Sequence, residues 1–324
     1  MRILANITTF NSADSIDATI DSLLRQTRPL DEILVVDNVS SDDTLQRPSM
    51  RHATIIRHPK NTGCSGAIAT GMQYALDHGF DWIWVLDADT APQPDALQKL
   101  LDLYDSWPPA QREEVGFLAC LAFNQRDGLP FHGSRVTPFG RVIVSPGPEE
   151  RCYPCDVTIW SGNLYRLAAV RRVGLPNPDY FMDWGEYEYG YRIKKAGYKA
   201  FVYQDAVMNH NIINIQSLTP QRFKLGPLTM TFYDNPPGRC YYLVRNTVYF
   251  SLYDYDGRMP RLLRPAIWRI RSAPGRPGLM RGLAWQLAFF TMNFLVRPRT
   301  HMAHVRACLR GMWHGVTGNI APRY

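Results

Sequence analysis

Asp81-Trp-Ile-Trp-Val-Leu-Asp-Ala-Asp89 is an apolar run of strand length that ends in two carboxylates. Its unbroken apolar centre suits a strand buried on both faces rather than one with a wet side. Two carboxylates two residues apart, where the chain leaves an extended strand for a turn, can both approach one hard divalent cation. Such a cation neutralises the phosphates of a nucleotide. The triplet alone is a weak signal, because a solvated Asp-rich turn has the same composition. Its place directly behind a buried strand is what favours a site over a turn.

Upstream, the same grammar repeats three times. Ile3 to Phe10 is an apolar strand, and Asn11 and Ser12 open a helix in which Ile16, Ile20, Leu23 and Leu24 recur at helical spacing. Glu32 to Val36 is a second buried strand, ending in Asp37, Asn38 and a polar loop from Ser40 to Thr44. Ala53 to Arg57 is a third, followed by a segment carrying Asn61, Gly63, Gly66 and Gly71 that leads into a helix with Ala69, Met72 and Leu76. Strands alternating with helices imply an α/β fold with a parallel sheet and helices on both faces. Ligands of such sheets sit at the carboxyl ends of the strands, where Asn11, Asp37 and Asp87 all lie. Asp37 is placed to accept a hydrogen bond from a base N–H, or alternatively to cap its own turn. Gly63 and Gly66 would let backbone approach a phosphate or sugar closely. The segment is neither a Walker A loop nor GxGxxG.

Downstream, Tyr180-Phe-Met-Asp-Trp-Gly-Glu-Tyr-Glu-Tyr-Gly-Tyr-Arg192 crowds Asp183, Glu186 and Glu188 at the start of an amphipathic helix. Acids in a first turn complement the helix dipole, and one with a tuned pKa also meets the need of a general base. Glu188 and Arg192 stand in i,i+4 ion-pairing position. His210 ends a further apolar stretch, Ala200 to Tyr203 and Ala206 to Met208, and beside the two aspartates it becomes a third metal-ligand candidate.

Charge is divided unevenly along the 324 residues. The 36 Lys plus Arg exceed the 29 Asp plus Glu by 7, yet residues 257–324 hold 12 Arg and no Lys, Asp or Glu, leaving −5 on the first 256. Within that basic region Leu262, Leu263, Ile267, Trp268 and Ile270 interleave with Arg261, Arg264, Arg269 and Arg271, and a run from Leu283 to Val296 follows. Aromatic and aliphatic residues among arginines describe amphipathic helices on an anionic membrane surface. A basic helical pair packed on the catalytic part or on a sister subunit is the alternative. The run contains Gln286 and Asn293 and falls short of the ~20 residues that span a bilayer. Met1 and Arg2 lead straight into a strand, which suggests a cytoplasmic protein, peripheral on the inner face of the cytoplasmic membrane. Cys152 and Cys155 form one CxxC pair without the second that a closed zinc site needs, and read as free thiols. No nucleic-acid module is present in the sequence.

Taken in order, Thr8-Thr9-Phe10-Asn11, Leu34 to Asn38, Asn61-Thr-Gly63, Asp87-Ala-Asp89, Ser161-Gly162, the Asp183 to Arg192 cluster, Gly197-Tyr198 and His210 resemble the family 2 inverting glycosyltransferases of the GT-A fold. The glycine segment and acidic cluster are most similar to the bacterial rhamnosyltransferases and galactofuranosyltransferases of surface polysaccharides. The resemblance implies a GT-A catalytic domain over residues 1–212, with a nucleotide-sugar half to about residue 120 and an acceptor half beyond it. Residues 213–256 would connect it to the basic region 257–324. It also implies that Thr8, Thr9, Asn11, Asp37, Asn61, Gly63, Gly66 and Asp87 bind the nucleotide sugar, with UDP or dTDP as nucleotide. Asp87, Asp89 and His210 would hold Mn²⁺ or Mg²⁺. Many relatives carry Glu-Asp where this chain has Gly185-Glu186, which puts the catalytic base on Glu186, with Asp183 and Glu188 still in contention. Trp160, Ser161, Gly162, Trp184 and Arg245 would line the acceptor side, toward a glycan or a lipid-diphosphate-linked acceptor. A nucleotidyltransferase is the rival enzyme, and a non-catalytic sugar-binding protein the rival of another class.

Overall fold

The structure is a computed structural model describing residues 1–137, 140–144, 146–147, 149–210, 220–225, 228–233, 235–255 and 301–321. The elements run β1 Ile3–Thr9, α1 Ile16–Leu24, β2 Glu32–Asp37, β3 Thr54–Arg57, α2 Gly63–Asp77, β4 Trp82–Asp87, β5 Thr90–Pro92, α3 Ala96–Ser106, α4 Pro109–Glu113, β6 Val115–Asn124, β7 Pro130–Phe131, β8 Ser134–Thr137 and β9 Gly140–Ile143. They continue with β10 Cys152–Cys155, β11 Asn163–Arg166, α5 Leu167–Val173, α6 Gly185–Lys195, β12 Lys199–His210, β13 Pro220–Leu225, β14 Leu228–Tyr233, α7 Pro237–Tyr249 and α8 His301–Thr317. Two compact units result. One comprises Met1–Val136, Arg141–Phe181 and Gly185–Asn214; the other comprises Thr137–Gly140, Met182–Trp184 and Ile215–Tyr324.

The first unit is built on a mixed sheet ordered β10-β12-β6-β11-β4-β1-β2-β3. β1 pairs in parallel with both β2 and β4, and β2 with β3, as the repeated strand-helix grammar requires. β11, short and late in the chain, slots antiparallel between β4 and β6, and β10 pairs antiparallel with β12. The unbroken apolar strands have a simple origin: alternate residues serve two cores. Ile3, Ala5, Ile7, Trp82, Trp84 and Leu86 pack with α1 and α3 on one face. Leu4, Leu34, Val36, Ile83 and Val85 pack with α2 and α5 on the other. Both faces are therefore dry, and a polar residue at either phase would be buried without a partner.

Local detail departs from the sequence reading in three places. Asn11 adopts φ 51° and the helix starts only at Ile16, because the chain turns sharply at the strand end before it can coil. The third strand is the sheet's edge, with Thr54, Ile55 and Arg57 exposed. The two apolar stretches before His210 are one twelve-residue strand, whose register against β6 shifts between Tyr203 and Val207. None of the six cysteines is in a disulfide, and Cys152 and Cys155 lie in a strand with Cys155 buried.

The second unit contains the β13–β14 hairpin, α7, a π-helical turn at Phe250–Asp254, and α8. Val244, Val248 and Leu252 form an apolar seam with Cys308, Met312 and Val316 of α8. Among the described residues no helix is long and apolar enough to cross a membrane. The interleaved stretch Leu262 to Arg271 and the run Leu283 to Val296 lie outside the described residues.

Candidate active site

Asp87 is the last residue of β4, and the chain turns through Ala88 and Asp89 into β5. β5 pairs antiparallel with the end of β12, setting Thr90 opposite His210. That single register brings together side chains 121 residues apart in sequence. Asp87, Asp89 and His210 each offer a ligand atom within 4.8 Å of the others'. His210 Nε2 lies 3.3 Å from an Asp87 carboxylate oxygen. Three residues hold the turn in place. Ser161 Oγ accepts from the Asp87 N–H at 3.0 Å, Thr90 Oγ1 donates to the Asp87 carbonyl at 2.8 Å, and Thr19 Oγ1 donates to the Ala88 carbonyl at 2.9 Å.

Burial raises the Asp89 carboxyl above its ordinary value; the His210 charge opposes this, the Asp87 carboxylate adds to it, and Arg126 again opposes it. Two carboxylates crowded together in a half-buried corner are unfavourable when both are ionised, and a divalent cation relieves that directly. Two carboxylate oxygens and an imidazole nitrogen form a donor set that fits Mn²⁺ well, and Mg²⁺ through its oxygens.

The neighbouring rim is assembled around β2. Asp37 has no exposed surface; its oxygens accept from the Ser40 N–H at 3.2 and 3.1 Å and pair with Arg57 at 3.4 Å. The turn-capping role weighed for Asp37 is thus realised. Oδ1, which meets the Ser40 N–H alone, retains a further lone pair, whereas Oδ2 is taken by Ser40 and Arg57. Asn11, in its left-handed conformation, donates its N–H to Ser40 Oγ at 2.9 Å and accepts from the Ser41 N–H at 2.8 Å. Thr8 and Thr9 stand beside it on β1, their hydroxyls buried and without a hydrogen-bond partner among the described residues. Asn38, which the sequence reading passed over, donates to the Gly63 carbonyl at 3.1 Å and accepts from the Thr62 N–H at 3.1 Å, tying this rim to the glycine segment.

The glycines themselves have a reason in packing. Asn61 Oδ1 accepts from the Gly63 N–H at 2.8 Å. Gly63 has φ +72°, and an added Cβ would meet the Phe181 carbonyl oxygen at 2.1 Å. A Cβ at Gly66 would meet Thr62 Oγ1 at 2.5 Å. Both positions are small so that α2 can pack against the 178–181 turn and its own preceding loop. Gly185 follows the same logic, since a Cβ there would meet Ser65 Oγ at 2.1 Å. That contact accounts for a glycine at this position.

The three contending acids divide by environment. Glu188 is buried and ion-paired to Arg192 through both oxygens, while the same guanidinium donates to the Val173 and Leu175 carbonyls at 3.1 and 2.8 Å. Glu186 is half-buried in the first turn of α6, close enough that its charge adds to the burial that lifts the Tyr165 phenol. Asp183, in the second unit, is gripped by Arg239 at 3.0 and 3.2 Å. Asp183 and Glu188 are thus each already engaged by a guanidinium through both oxygens.

The expected acceptor residues fare unevenly. Trp160 is buried, packed on Tyr165 and Tyr189, and forms core rather than an open stacking face. Ser161 is buried beneath Asp87, so it positions the turn instead of lining an acceptor channel. Gly162, at φ +88°, packs on Met208 and Cys120. In the second unit Trp184 is half-buried against Phe250. Arg245 has no exposed surface, lies over the rings of Tyr242 and Tyr241, and donates to Asn246 Oδ1. In this arrangement it serves the interior of its own unit.

Residues 6–110 match the profile of Glycosyl transferase family 2. The chain carries a glycosyltransferase family 2 domain. The galactofuranosyltransferase GlfT1 of Mycobacterium tuberculosis is 27% identical over 220 residues, 64% of this chain and 69% of that protein. The N-acetylglucosaminyl-diphospho-decaprenol L-rhamnosyltransferase of the same species is 27% identical over 232 residues, 63% of this chain and 74% of that protein. Among solved structures, the mannosyltransferase PcManGT from Pyrobaculum calidifontis, in complex with GDP-Man and Mn²⁺, superposes with a TM-score of 0.54. It is 17% identical and covers 97% of this chain and 87% of its own. The fold is thus that of the GT-A glycosyltransferases, and the family 2 match together with these relatives supports a hexosyltransferase.

Proposed function

We propose that this chain is a metal-dependent, inverting glycosyltransferase. It would transfer a sugar of the galactofuranose or rhamnose class from a UDP- or dTDP-linked donor to a glycan or polyprenyl-diphosphate-linked acceptor of cell-surface polysaccharide. The observation that carries the reading is the convergence of Asp87, Asp89 and His210 at the carboxyl ends of β4 and β12. Those three residues would hold Mn²⁺ or Mg²⁺, which when bound supplies positive charge to the departing diphosphate. The galactofuranosyltransferase and rhamnosyltransferase relatives support the sugar and acceptor classes, and the Mn²⁺ complex of the mannosyltransferase supports the metal.

The chain's own residues supply the rest. Asp37 would accept a nucleobase N–H, and the Thr8 and Thr9 hydroxyls would bond the nucleoside. Glu186 would take the proton from the acceptor hydroxyl as that oxygen bonds to the anomeric carbon. The bond from that carbon to the phosphate oxygen breaks, and the nucleoside diphosphate leaves with the electron pair. One displacement from the opposite face inverts the anomeric configuration. The acid-free basic region would hold the enzyme on the inner face of an anionic membrane, where a lipid-linked acceptor is presented.

The test is transfer assayed with wild type and Glu186→Gln. The reading expects nucleoside diphosphate release, an inverted product by NMR, and a rate lowered about 10²- to 10⁴-fold in the variant, with melting unchanged. Pyrophosphate release would make it a nucleotidyltransferase, and a fully active Glu186→Gln would remove Glu186 from the base position.

A further inference from the structure

Helix α8 has two opposite faces of different construction. On the inner face Gly311 and Gly315 let it approach α7 closely, since a Cβ at either would meet the Tyr241 or Arg245 carbonyl oxygen at 2.5 or 2.7 Å. That contact fixes which side of the helix faces outward. At 100° per residue, Met302, Leu309 and Trp313 fall within about 40° of one another on the side opposite those glycines. They are 64%, 61% and 67% exposed, among the most exposed large apolar side chains described. Arg306, exposed, flanks the same line on one side, and Arg310 beside it, also exposed, sets its guanidinium 5.9 Å over the Tyr241 ring of α7.

An apolar stripe about 16 Å long, bordered by guanidinium groups and ending in a tryptophan, is costly to leave in water. The sequence also shows what it complements. From residue 257 onward the chain has 12 Arg and not one acid, so a protein surface of ordinary mixed charge is a poor match and a uniformly anionic one a good match. Anionic phospholipid meets both requirements. Its headgroups take the arginines, its acyl boundary takes Met302 and Leu309, and the indole of Trp313 suits the level between them.

We infer that the outer face of α8, formed by Met302, Arg306, Leu309, Arg310 and Trp313, is a docking surface for an anionic lipid bilayer, lying in the interface plane without crossing it. The inference deepens the membrane part of the proposed function and rests on it for its purpose, since it assigns the attachment to one helix face. It does not depend on donor, metal or base.

The experiment is co-sedimentation of the full chain with phosphatidylcholine vesicles, with and without phosphatidylglycerol. The wild type is expected to pellet with the phosphatidylglycerol vesicles alone. Met302→Gln with Leu309→Gln and Trp313→Gln should lower that binding at least about tenfold. Arg306→Gln should lower it about fivefold by itself, an effect removed by high salt. Melting temperature and nucleotide binding, read on the same samples, should match the wild type and establish that the variants are folded. Trp313→Phe should restore most binding to an otherwise wild-type face. The inference is overturned if the triple variant pellets as well as the wild type, if the wild type binds neither vesicle, or if it binds neutral vesicles equally. It is also overturned if sedimentation velocity without lipid shows a dimer that the triple variant dissolves, which would assign the face to a second copy. Loss of nucleotide binding in the wild type would instead sink the catalytic reading and leave the vesicle result standing.

Discussion

Glu188→Gln separates a structural acid from a catalytic one within a single helical turn. In the folded enzyme both Glu188 oxygens meet the Arg192 guanidinium, which also donates to the Val173 and Leu175 carbonyls and lies 5.0 Å over the Tyr189 ring. The carboxylate side chain is 8% exposed and the guanidinium 32%. Removing one partner of a buried pair leaves the other charge uncompensated, at a typical cost of 3–5 kcal/mol. Because Arg192 keeps some water and two carbonyls, the loss falls just below that range, at about 2–3 kcal/mol. For a unit of this size that corresponds to a melting shift of roughly 4–10 °C. Thermal unfolding by circular dichroism gives the shift, and transfer assayed well below the transition should stay within a few fold of wild type. Adding Arg192→Met should recover part of the lost stability, because the uncompensated charge is then gone. An unchanged melting temperature with activity down a hundredfold would refute the reasoning and move the base from Glu186 to Glu188.

Three further outcomes follow from the same geometry. Gly63→Ala places a methyl 2.1 Å from the Phe181 carbonyl at φ +72°, so it should cost about 2–4 kcal/mol by thermal melting. Asn246→Ala removes two 2.8 Å hydrogen bonds to the Met182 and Asp183 carbonyls, where Asp183 and Trp184 sit at φ 56° and 66°; chemical denaturation should register a loss of about 1–3 kcal/mol. Asp42 has its carboxyl lowered: burial pushes it up, but bonds from Thr44 and Ala13 outweigh that. A carboxyl with a folded pKa below its unfolded value of 3.8 stabilises the fold above that pH, and the contribution is lost as pH falls through the folded value. Asp42→Asn should therefore lower stability at neutral pH, with the difference from wild type closing as the pH falls below about 4.

Most of the strand-helix alternation was legible because the central parallel strands β2 and β4 are apolar at both phases, and the helices between them carry helical spacing. The antiparallel insertion of β11 was not, since four residues between two longer strands carry no mark of their direction. At the site, Asp87, Asp89 and His210 were readable as ligand types at strand ends. Their convergence depends on β5, a three-residue strand with no periodicity to detect. Ser161, Thr90 and Thr19 hold the Asp87–Asp89 turn through single hydroxyls, and nothing local distinguishes such a threonine or serine from a solvated one. Arg126 was missed for the same reason, although its charge reaches Asp89. The glycine segment was found, but its packing against Phe181 and Thr62 was not, because a sequence shows that space is needed without showing what fills it. Arg245 illustrates the converse, a cation suited to phosphate that two tyrosine rings and a neighbouring asparagine keep inside.

The account stands on Asp87, Asp89 and His210 forming a divalent-cation site for a nucleotide. Isothermal titration of UDP, dTDP and GDP into wild type and Asp89→Asn, each with Mn²⁺ and with EDTA, tests this directly. The account predicts that UDP or dTDP binds in the presence of Mn²⁺ alone and that Asp89→Asn abolishes the heat. Equal binding in EDTA, or undiminished binding by Asp89→Asn, would contradict it.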